Sequence, residues 1–384
     1  MYRASMHDTQ EIMNDLSNSK IALVYDRVNK WGGAERVLLA LHEIFPNAPL
    51  FTAVYDPVAA GWAQVFPQVI SSFLQNFPLA KNHHEFYPWI TPLAFETFRF
   101  DDYDIVISVT SADAKGIITK PNTFHLCYCL TPTRYLWSHA DIYVSAKYGP
   151  LFNYLKHWDK IASHRPDAYI AISKTVQDRI SKYYGLDSQV IYPPVEINSP
   201  NLEQPAHKDY FLWVGRLVTY KRIQIIVEVF NDLKLPLVII GLGQLADTLR
   251  QKARENIYFL GWQSEEELSR YYQHARGLIF WHEEDFGLVP VEAMIHGTPV
   301  IGLNTGGVSE TVIGGVTGYL IEDSQEQLKS AILNFNRAGF DSQVIKDHAQ
   351  KFAKDRFKQE FSQALIRAYS SWRRGNSPLA RIPR

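Results

Sequence analysis

Gly215-Arg216-Leu217-Val218-Thr219-Tyr220-Lys221 sets two cations five residues apart, after an apolar run and at the entry to a helical pattern. A helix start offers free N–H groups, a guanidinium offers a planar fork and an ammonium a point charge, so such a segment suits a diphosphate. Two solvated surface cations would show the same spacing. Glu284 and Glu292 lie eight residues apart around Phe286-Gly287-Leu288 and Pro290. Acidic pairs recur by accident at any one spacing, and a helix-surface carboxylate is the plain alternative for Glu292. The context adds weight: Glu284 follows an apolar run, the next residues supply backbone N–H groups at a helix start, and proline is tolerated in a first turn. Asn304-Thr305-Gly306-Gly307-Val308-Ser309-Glu310 is a third turn-to-helix junction, and Gly32-Gly33 a fourth. Glycine admits a ligand close to the backbone, and it also simply makes tight turns.

Such junctions require strands to end at them. Short apolar runs read as buried strands at residues 20–26, 50–55, 104–109, 123–129, 168–173 and 190–192, with helical patterns at 34–44, 151–163 and 175–184. Pro193-Pro194 cannot continue a ladder and ends this half. Strands follow at 210–214, 237–240, 257–260, 277–281, 299–303 and 318–321, with helices at 221–233, 245–253, 264–274, 288–296 and 308–313. Repeated strand-helix units predict an α/β chain with two Rossmann-like, doubly wound parallel sheets, whose ligands bind beyond the carboxyl ends of the strands. The expected division is a disordered extension over residues 1–19, a first Rossmann-like domain over 20–192, a second over 193–344, and helices over 345–384 that pack back toward the first domain.

Composition narrows the classes. With 384 residues, 46% hydrophobic and 21% charged, two ordinary globular domains are expected. Lys plus Arg total 39 against 40 for Asp plus Glu, so no bulk field draws the chain to nucleic acid, and any anion site must be local. The start of the chain lacks the apolar core of a secretory signal, and no run approaches the roughly 18 apolar residues of a membrane span. A cytoplasmic protein is expected, with aromatic content that permits peripheral contact with the inner face of the cytoplasmic membrane. Cys127 and Cys129 share one face of a strand and are held apart by it, so buried thiols are expected. Gly241-Leu-Gly243 matches a dinucleotide fingerprint only in truncated form, and a helix-capping turn explains it equally well.

Taken together, these residues resemble the retaining glycosyltransferases of family four, which adopt the two-domain GT-B fold with a cleft between the domains. Glu284 to Glu292, with Phe286-Gly287-Leu288 inside, is similar to that family's glutamate-x7-glutamate signature, and Gly215-Arg216 with Lys221 is similar to its donor diphosphate motif. Tyr103-Asp104-Ile105-Val106-Ile107-Ser108, Ala114-Lys115-Gly116 and Thr131-Pro132-Thr133-Arg134-Tyr135-Leu136-Trp137 resemble the branch that builds bacterial surface polysaccharides. The resemblance implies that Gly215, Arg216 and Lys221 hold the diphosphate, Glu284 the donor sugar hydroxyls and Glu292 the ribose. It implies that the amides of Phe286, Gly287 and Leu288 reach sugar and phosphate, that Gly33 meets the phosphates from the first domain, and that Gly261-Trp262-Gln263 reads the base. It further implies that 20–192 binds the acceptor, with Lys115, Thr131 and Arg134 on that side, and that 193–344 binds the nucleotide-sugar donor. Leu130 stands where relatives often carry histidine, and Ile172 where they often carry asparagine.

Breaking the bond from the anomeric carbon to diphosphate builds negative charge on the leaving oxygen while the sugar ring gains oxocarbenium character. Arg216 and Lys221 balance a nucleotide diphosphate ester without a metal, so no cofactor is expected. At ~4 Å and an effective dielectric of ~20 each contact is worth about 4 kcal/mol before desolvation. Asp102-Tyr103-Asp104, the nearest string of metal-binding type, precedes its strand instead of following it and reads as structural. The expected reaction moves a hexose, with glucose from UDP-glucose favoured over mannose from GDP-mannose, to a saccharide or lipid-linked saccharide. Aromatic and basic residues at 73–89 could meet such an acceptor or pack as core. A nucleotide-sugar epimerase, a silent nucleotide-sugar-binding subunit and, more weakly, an NAD-dependent dehydrogenase are the rival readings.

Overall fold

Strands buried on both faces read as unbroken apolar runs, and both sheets of this chain are built from such runs. The computed structural model describes residues 19–83, 86–138, 149–197 and 209–375. All but one residue of the expected N-terminal extension lies outside the described residues. The chain divides into two units, one of Met1–Pro194 with Phe357–Arg384 and one of Val195–Arg356.

The described part of the first unit runs β1 (Ile21–Tyr25), α1 (Gly33–Ile44), β2 (Leu50–Thr52), β3 (Val69–Ser71), α2 (Thr91–Glu96), β4 (Ile105–Thr110), β5 (Phe124–Cys129), α3 (Gly149–Ala162), β6 (Ala168–Ala171), α4 (Lys174–Tyr184) and β7 (Gln189–Val190). Its strands pair in parallel in the order β3-β2-β1-β4-β5-β6-β7. The order reverses between β1 and β4, which places a crevice at their carboxyl ends. Strand β3 is absent from the sequence reading because its three residues are all half-buried and carry no pattern long enough to see. Aromatic residues Phe51, Phe95, Phe98 and Phe100 fill the core on one face of this sheet. Phe73, Phe77 and Tyr87 pack against the same core, while Phe86 and Trp89 are exposed, so the 73–89 segment divides between packing and surface.

The second unit runs β8 (Phe211–Val214), α5 (Ile223–Leu233), β9 (Leu237–Ile240), α6 (Ala246–Lys252), β10 (Ile257–Gly261), α7 (Glu265–His274), β11 (Gly277–Phe280), α8 (Leu288–Ile295), β12 (Val300–Leu303), α9 (Val308–Thr311), β13 (Gly318–Ile321), α10 (Gln325–Leu333) and α11 (Ser342–Ala349). The parallel order is β10-β9-β8-β11-β12-β13, with the reversal between β8 and β11. Local chemistry sets the helix starts: at α7, Ser264 accepts from Glu267 N while the Glu267 side chain accepts from Ser264 N, a reciprocal cap that satisfies two otherwise orphan donors.

One element departs from expectation. The run at 345–372 is not continuous: α11 ends, a 3-10 turn spans Gln350–Phe352, and α12 (Lys354–Arg373) begins afresh. At the break, Val195 N donates to Phe352 O at 2.9 Å and Lys354 N donates to Val195 O at 3.1 Å, so backbone groups that a helix would pair internally are used across the chain. Helix α11 therefore remains with the second unit, and from Phe357 onward α12 belongs to the first, where Phe357, Phe361 and Tyr369 meet the rings of Tyr128 and Phe124. Cys127 and Cys129 are free thiols, both buried.

Candidate functional site

Strand β8 ends at Val214, and Gly215 follows with φ 157°, outside the range of L side chains. A Cβ there would stand 3.3 Å from Lys221 Nζ and 3.3 Å from the Trp213 ring, so the glycine clears the path of the Lys221 stem. The expected helix at 221–233 begins instead at Ile223, because a 3-10 turn over Thr219–Lys221 is closed by Arg222 in the left-handed region, φ 54°. That kink turns Lys221 inward, to 6% exposure, while Arg216 stays exposed and donates to the Tyr220 hydroxyl at 2.8 Å.

On the neighbouring strand, β11 ends at Phe280 and the chain runs through His282 to Glu284, whose Oε1 accepts from Lys221 Nζ. Lys221 and Glu284 thus reach each other across the strand-order reversal, one from β8 and one from β11. His282 is fully buried, and its Nε2 lies 3.3 Å from the same Oε1. Burial lowers the imidazole pKa more than the carboxylate raises it, so the ring is neutral at pH 7 and its Nε2–H donates. Burial pushes the Glu284 carboxyl up, but the His282 hydrogen bond and the Lys221 charge outweigh it and hold the group well below the usual carboxylate range. Both contacts fall on Oε1, which leaves Oε2 without a protein partner among the described residues.

Glycines hold this segment in place. Gly307 N donates to Glu284 O at 2.8 Å, and a Cβ at Gly307 would lie 2.2 Å from Phe286 Cα; one at Gly306 would lie 2.5 Å from Glu284 O. The third junction in the sequence therefore packs against the Glu284 loop. Gly241 and Gly243 do the same for the cation segment: their Cβ atoms would fall 1.9 Å from Gly215 O and 2.4 Å from Leu217 O. This close backbone approach accounts for the truncated dinucleotide-like pair.

Helix α8 then starts at Leu288 after Gly287, φ 83°, with Phe286 buried against Phe352. Glu292 lies on α8 and accepts from the buried Tyr272 hydroxyl of α7 at 2.9 Å, and the Tyr272 ring stacks on His296. Trp262, just past β10, is 73% exposed, and the Gln263 amide is turned back to Leu260 O at 3.0 Å. The second unit thus brings Gly215, Lys221, Glu284 and the start of α8 to one edge, with Arg216 beside them and Trp262 and Gln263 past β10, two strands from β8.

In the first unit, Gly33 opens α1 after an extended Gly32, whose Cβ would stand 3.1 Å from Glu35 Oε2. Lys115 is a correction: it is 1% exposed, and its three ammonium donors go to Ala112 O, Thr133 Oγ1 and Asp159 Oδ1. Asp159, fully buried, also accepts from Thr133, Trp137 and Tyr184. Burying this cation requires that closed network, which leaves Lys115 no proton for an acceptor and makes it a structural residue. Thr131 is 4% exposed with Arg179 Nη1 at 3.4 Å, and Arg134 is half-buried. Asp104 accepts from Lys20 N at 2.8 Å at the amino end of β4, the edge away from the crevice. Among the described residues, no three His, Cys, Asp or Glu side chains gather as metal ligands, and no helix is long and apolar enough to cross a membrane. His282 and Tyr272 were not read from the sequence, although His282 stands two residues before Glu284, a spacing that puts side chains on one side of an extended segment.

The chain matches the family model of Glycosyltransferase Family 4 over residues 31–199 and that of Glycosyl transferases group 1 over residues 195–368. It is 28% identical over 218 residues to the O-antigen chain mannosyltransferase RfbU of Salmonella typhimurium, covering 54% of this chain and 61% of that one. It is 27% identical to an uncharacterized glycosyltransferase of Methanocaldococcus jannaschii, covering 52% of this chain and 58% of that one. The chain thus spans about six tenths of the length of these curated relatives. Among solved structures it resembles Anabaena HepE, crystallised with UDP and glucose, with a TM-score of 0.68 at 17% identity over 91% of this chain and 99% of that one.

Proposed function

Because this chain belongs to the family-four glycosyltransferases, with two Rossmann-like units of the GT-B kind, we propose that it transfers a hexose from a nucleotide diphosphate sugar to a saccharide or lipid-linked saccharide in surface-polysaccharide assembly. The observation that carries this is the Lys221–Glu284 pair at the strand-order reversal of the second unit, next to the start of α8. Helix-start N–H groups and two cations suit a pyrophosphate, and a carboxylate with one free oxygen suits sugar hydroxyls.

In the proposed reaction Arg216 and Lys221 meet the charge that grows on the leaving diphosphate, with no metal and with the anomeric configuration retained. Glu284 Oε2 accepts from a donor-sugar hydroxyl while His282 and Lys221 fix the carboxylate through Oε1. Preorganised charge of this kind acts most strongly where charge develops, and even half of one ion-pair contact, about 2 kcal/mol, is roughly thirtyfold in rate. Glu292, steadied by Tyr272, takes the ribose, and the Gly261-Trp262-Gln263 segment the base.

Two donors fit this reading. RfbU is named a mannosyltransferase, which favours GDP-mannose; the fold shared with the UDP- and glucose-bound HepE is consistent with UDP-glucose. Thermal shift and donor hydrolysis against a panel of nucleotide sugars separate the two. Failure of every member to stabilise the protein, or stabilisation that persists undiminished in Lys221→Ala, would overturn the proposal.

A further inference from the structure

In the first unit, Asn29 holds the loop after β1 against the 73–89 segment: its Nδ2 donates to Lys81 O at 2.7 Å. The same loop carries Lys30 and Trp31. Lys30 O accepts from Trp62 Nε1 at 2.8 Å, and the rings of Trp31 and the half-buried Trp62 stand with centroids 6.3 Å apart. Three segments distant in sequence thus meet in one surface. Trp31 is 48% exposed, Leu79 65% and Phe86 59%, and the Lys30 and Lys81 side chains of the same loops are exposed as well. Leu79 carries two costs together. Its φ is 59°, in the left-handed region that a side chain with a Cβ disfavours, and its hydrocarbon faces water. The other two non-glycine residues at positive φ among those described, Arg222 and Lys234, are polar and cap a helix. Leu79 O accepts from Asn82 N at 3.1 Å and His83 N at 2.8 Å, bonds that asparagine or glycine would make with less strain. The turn does not need a leucine.

An exposed apolar group of this kind, strained and set among aromatic rings, marks a surface that something covers. The polar groups restrict what that can be. The Asn29 amide nitrogen and the Trp62 indole N–H are committed to Lys81 O and Lys30 O, so a saccharide would meet hydrocarbon and ammonium where its hydroxyls need matched donors and acceptors. A second copy of the chain, docked face to face, would bring the two lysines of one patch toward those of the other. An anionic bilayer suits every part: tryptophan rings settle at the level of the headgroups, leucine and phenylalanine enter the hydrocarbon, and lysines meet the lipid phosphates.

We propose that the surface made by Trp31, Trp62, Leu79 and Phe86, with Lys30 and Lys81, docks the first unit on an anionic phospholipid bilayer. This docking stands apart from the donor chemistry of the second unit and requires none of its residues.

Co-sedimentation of the full chain with vesicles of equal parts phosphatidylglycerol and phosphatidylcholine, and with vesicles of phosphatidylcholine alone, tests the docking, with thermal melts of each variant alongside. The native chain is expected to bind the anionic vesicles and to bind the zwitterionic ones far less. Leu79→Asn supplies a residue that tolerates the left-handed backbone and removes the hydrocarbon, so vesicle affinity is expected to fall roughly tenfold or more while the melting temperature holds or rises. A leucine that served packing alone would lower the melting temperature and leave vesicle affinity unchanged. Lys30→Ala combined with Lys81→Ala is expected to weaken binding to the anionic vesicles by a similar factor and to leave zwitterionic binding as it was. Absent binding to the anionic vesicles, equal binding to both kinds, or binding unchanged in Leu79→Asn and in the lysine pair overturns the proposal. So does self-association of the vesicle-free chain that Leu79→Asn abolishes, which would give the surface to a second copy. Binding of a soluble methyl glycoside that Trp31→Ala abolishes would give it to a saccharide and overturn the proposal as well.

Discussion

Lys221 and Glu284 are 63 residues apart in sequence, and each limits what the other can do. The half-buried Glu284 carboxylate, held low by the His282 hydrogen bond and the Lys221 charge, stays ionised. Lys221→Ala therefore has two expected effects. Turnover falls roughly tenfold or more, as transition-state charge loses a partner, and stability falls by about 1–2 kcal/mol, as the half-buried Glu284 loses its cation and keeps partial access to water. Arg216→Ala, at an exposed site paired only with Tyr220 among the described residues, is expected to show a similar loss of turnover with a nearly unchanged melting temperature. Steady-state kinetics beside thermal melts check the contrast; equal stability losses in the two variants would contradict it. Addition of chelator is expected to leave turnover unchanged, and inhibition reversed by magnesium or manganese would overturn the metal-free mechanism. The pH dependence has a definite sign. Because the folded-state pKa of Glu284 is depressed, its contribution to stability is present above its ordinary value of 4.5 and is lost as pH falls below it. Melting curves of Glu284→Gln and native protein are expected to stay apart down to about pH 4.5 and to converge progressively below it; curves that stay parallel there would rule out the ion pair as the cause.

At the scale of the element, the second unit was legible wherever a strand is apolar throughout and a helix follows a glycine turn. All six of its strands fall within about a residue of their expected limits, because burial on both faces leaves no other pattern. Harder to read were relations between segments distant in sequence. Nothing near Gly306-Gly307 announces that the pair makes room for Glu284 and Phe286, and nothing near Gly241 announces Gly215 O, since a glycine that admits a ligand and one that admits another loop look the same in one dimension. Lys115 was misread for a related reason: its partner Asp159 lies 44 residues on, so an enclosed ion pair looked like an available cation. The break at residues 350–353 was invisible because it is made by Val195. Gly307→Ala is accordingly expected to act through the loop. A Cβ 2.2 Å from Phe286 Cα must displace backbone, so the variant should lose about 1–3 kcal/mol of stability and bind nucleotide sugar more weakly. Tyr272→Phe removes one hydrogen bond to Glu292 and leaves the ring stack on His296, so KM for the nucleotide sugar is expected to rise a few-fold while kcat holds. A fall in kcat with KM constant would place Tyr272 in the chemical step instead.

For the whole molecule, connectivity makes the first unit depend on the end of the chain. Its β5 carries Phe124 and Tyr128, whose rings meet Tyr369, Trp372, Phe357 and Phe361 of α12 at 5.5–6.1 Å. Phe357, Phe361 and Leu365 are completely buried, and an aromatic or leucine side chain buried in this way is worth about 1.5–3 kcal/mol. Three such residues amount to most of the net stability of an ordinary domain. The second unit closes within Val195–Arg356 and makes no such demand. Truncation after Arg356 is therefore expected to act unequally. In calorimetry of the full chain, nucleotide should raise the transition of the second unit, since the cation pair and Glu284 belong to it. In the truncated chain the first unit's transition should collapse or vanish, while the nucleotide-sensitive one stays within a few degrees of its original position. Phe361→Ala, which leaves the helix and empties one core position, is expected to lower only the nucleotide-insensitive transition, by about 3–5 kcal/mol in stability. A single transition that both nucleotide and Phe361→Ala shift would show instead that the two units unfold as one, and the independence argued from their separate cores would fail.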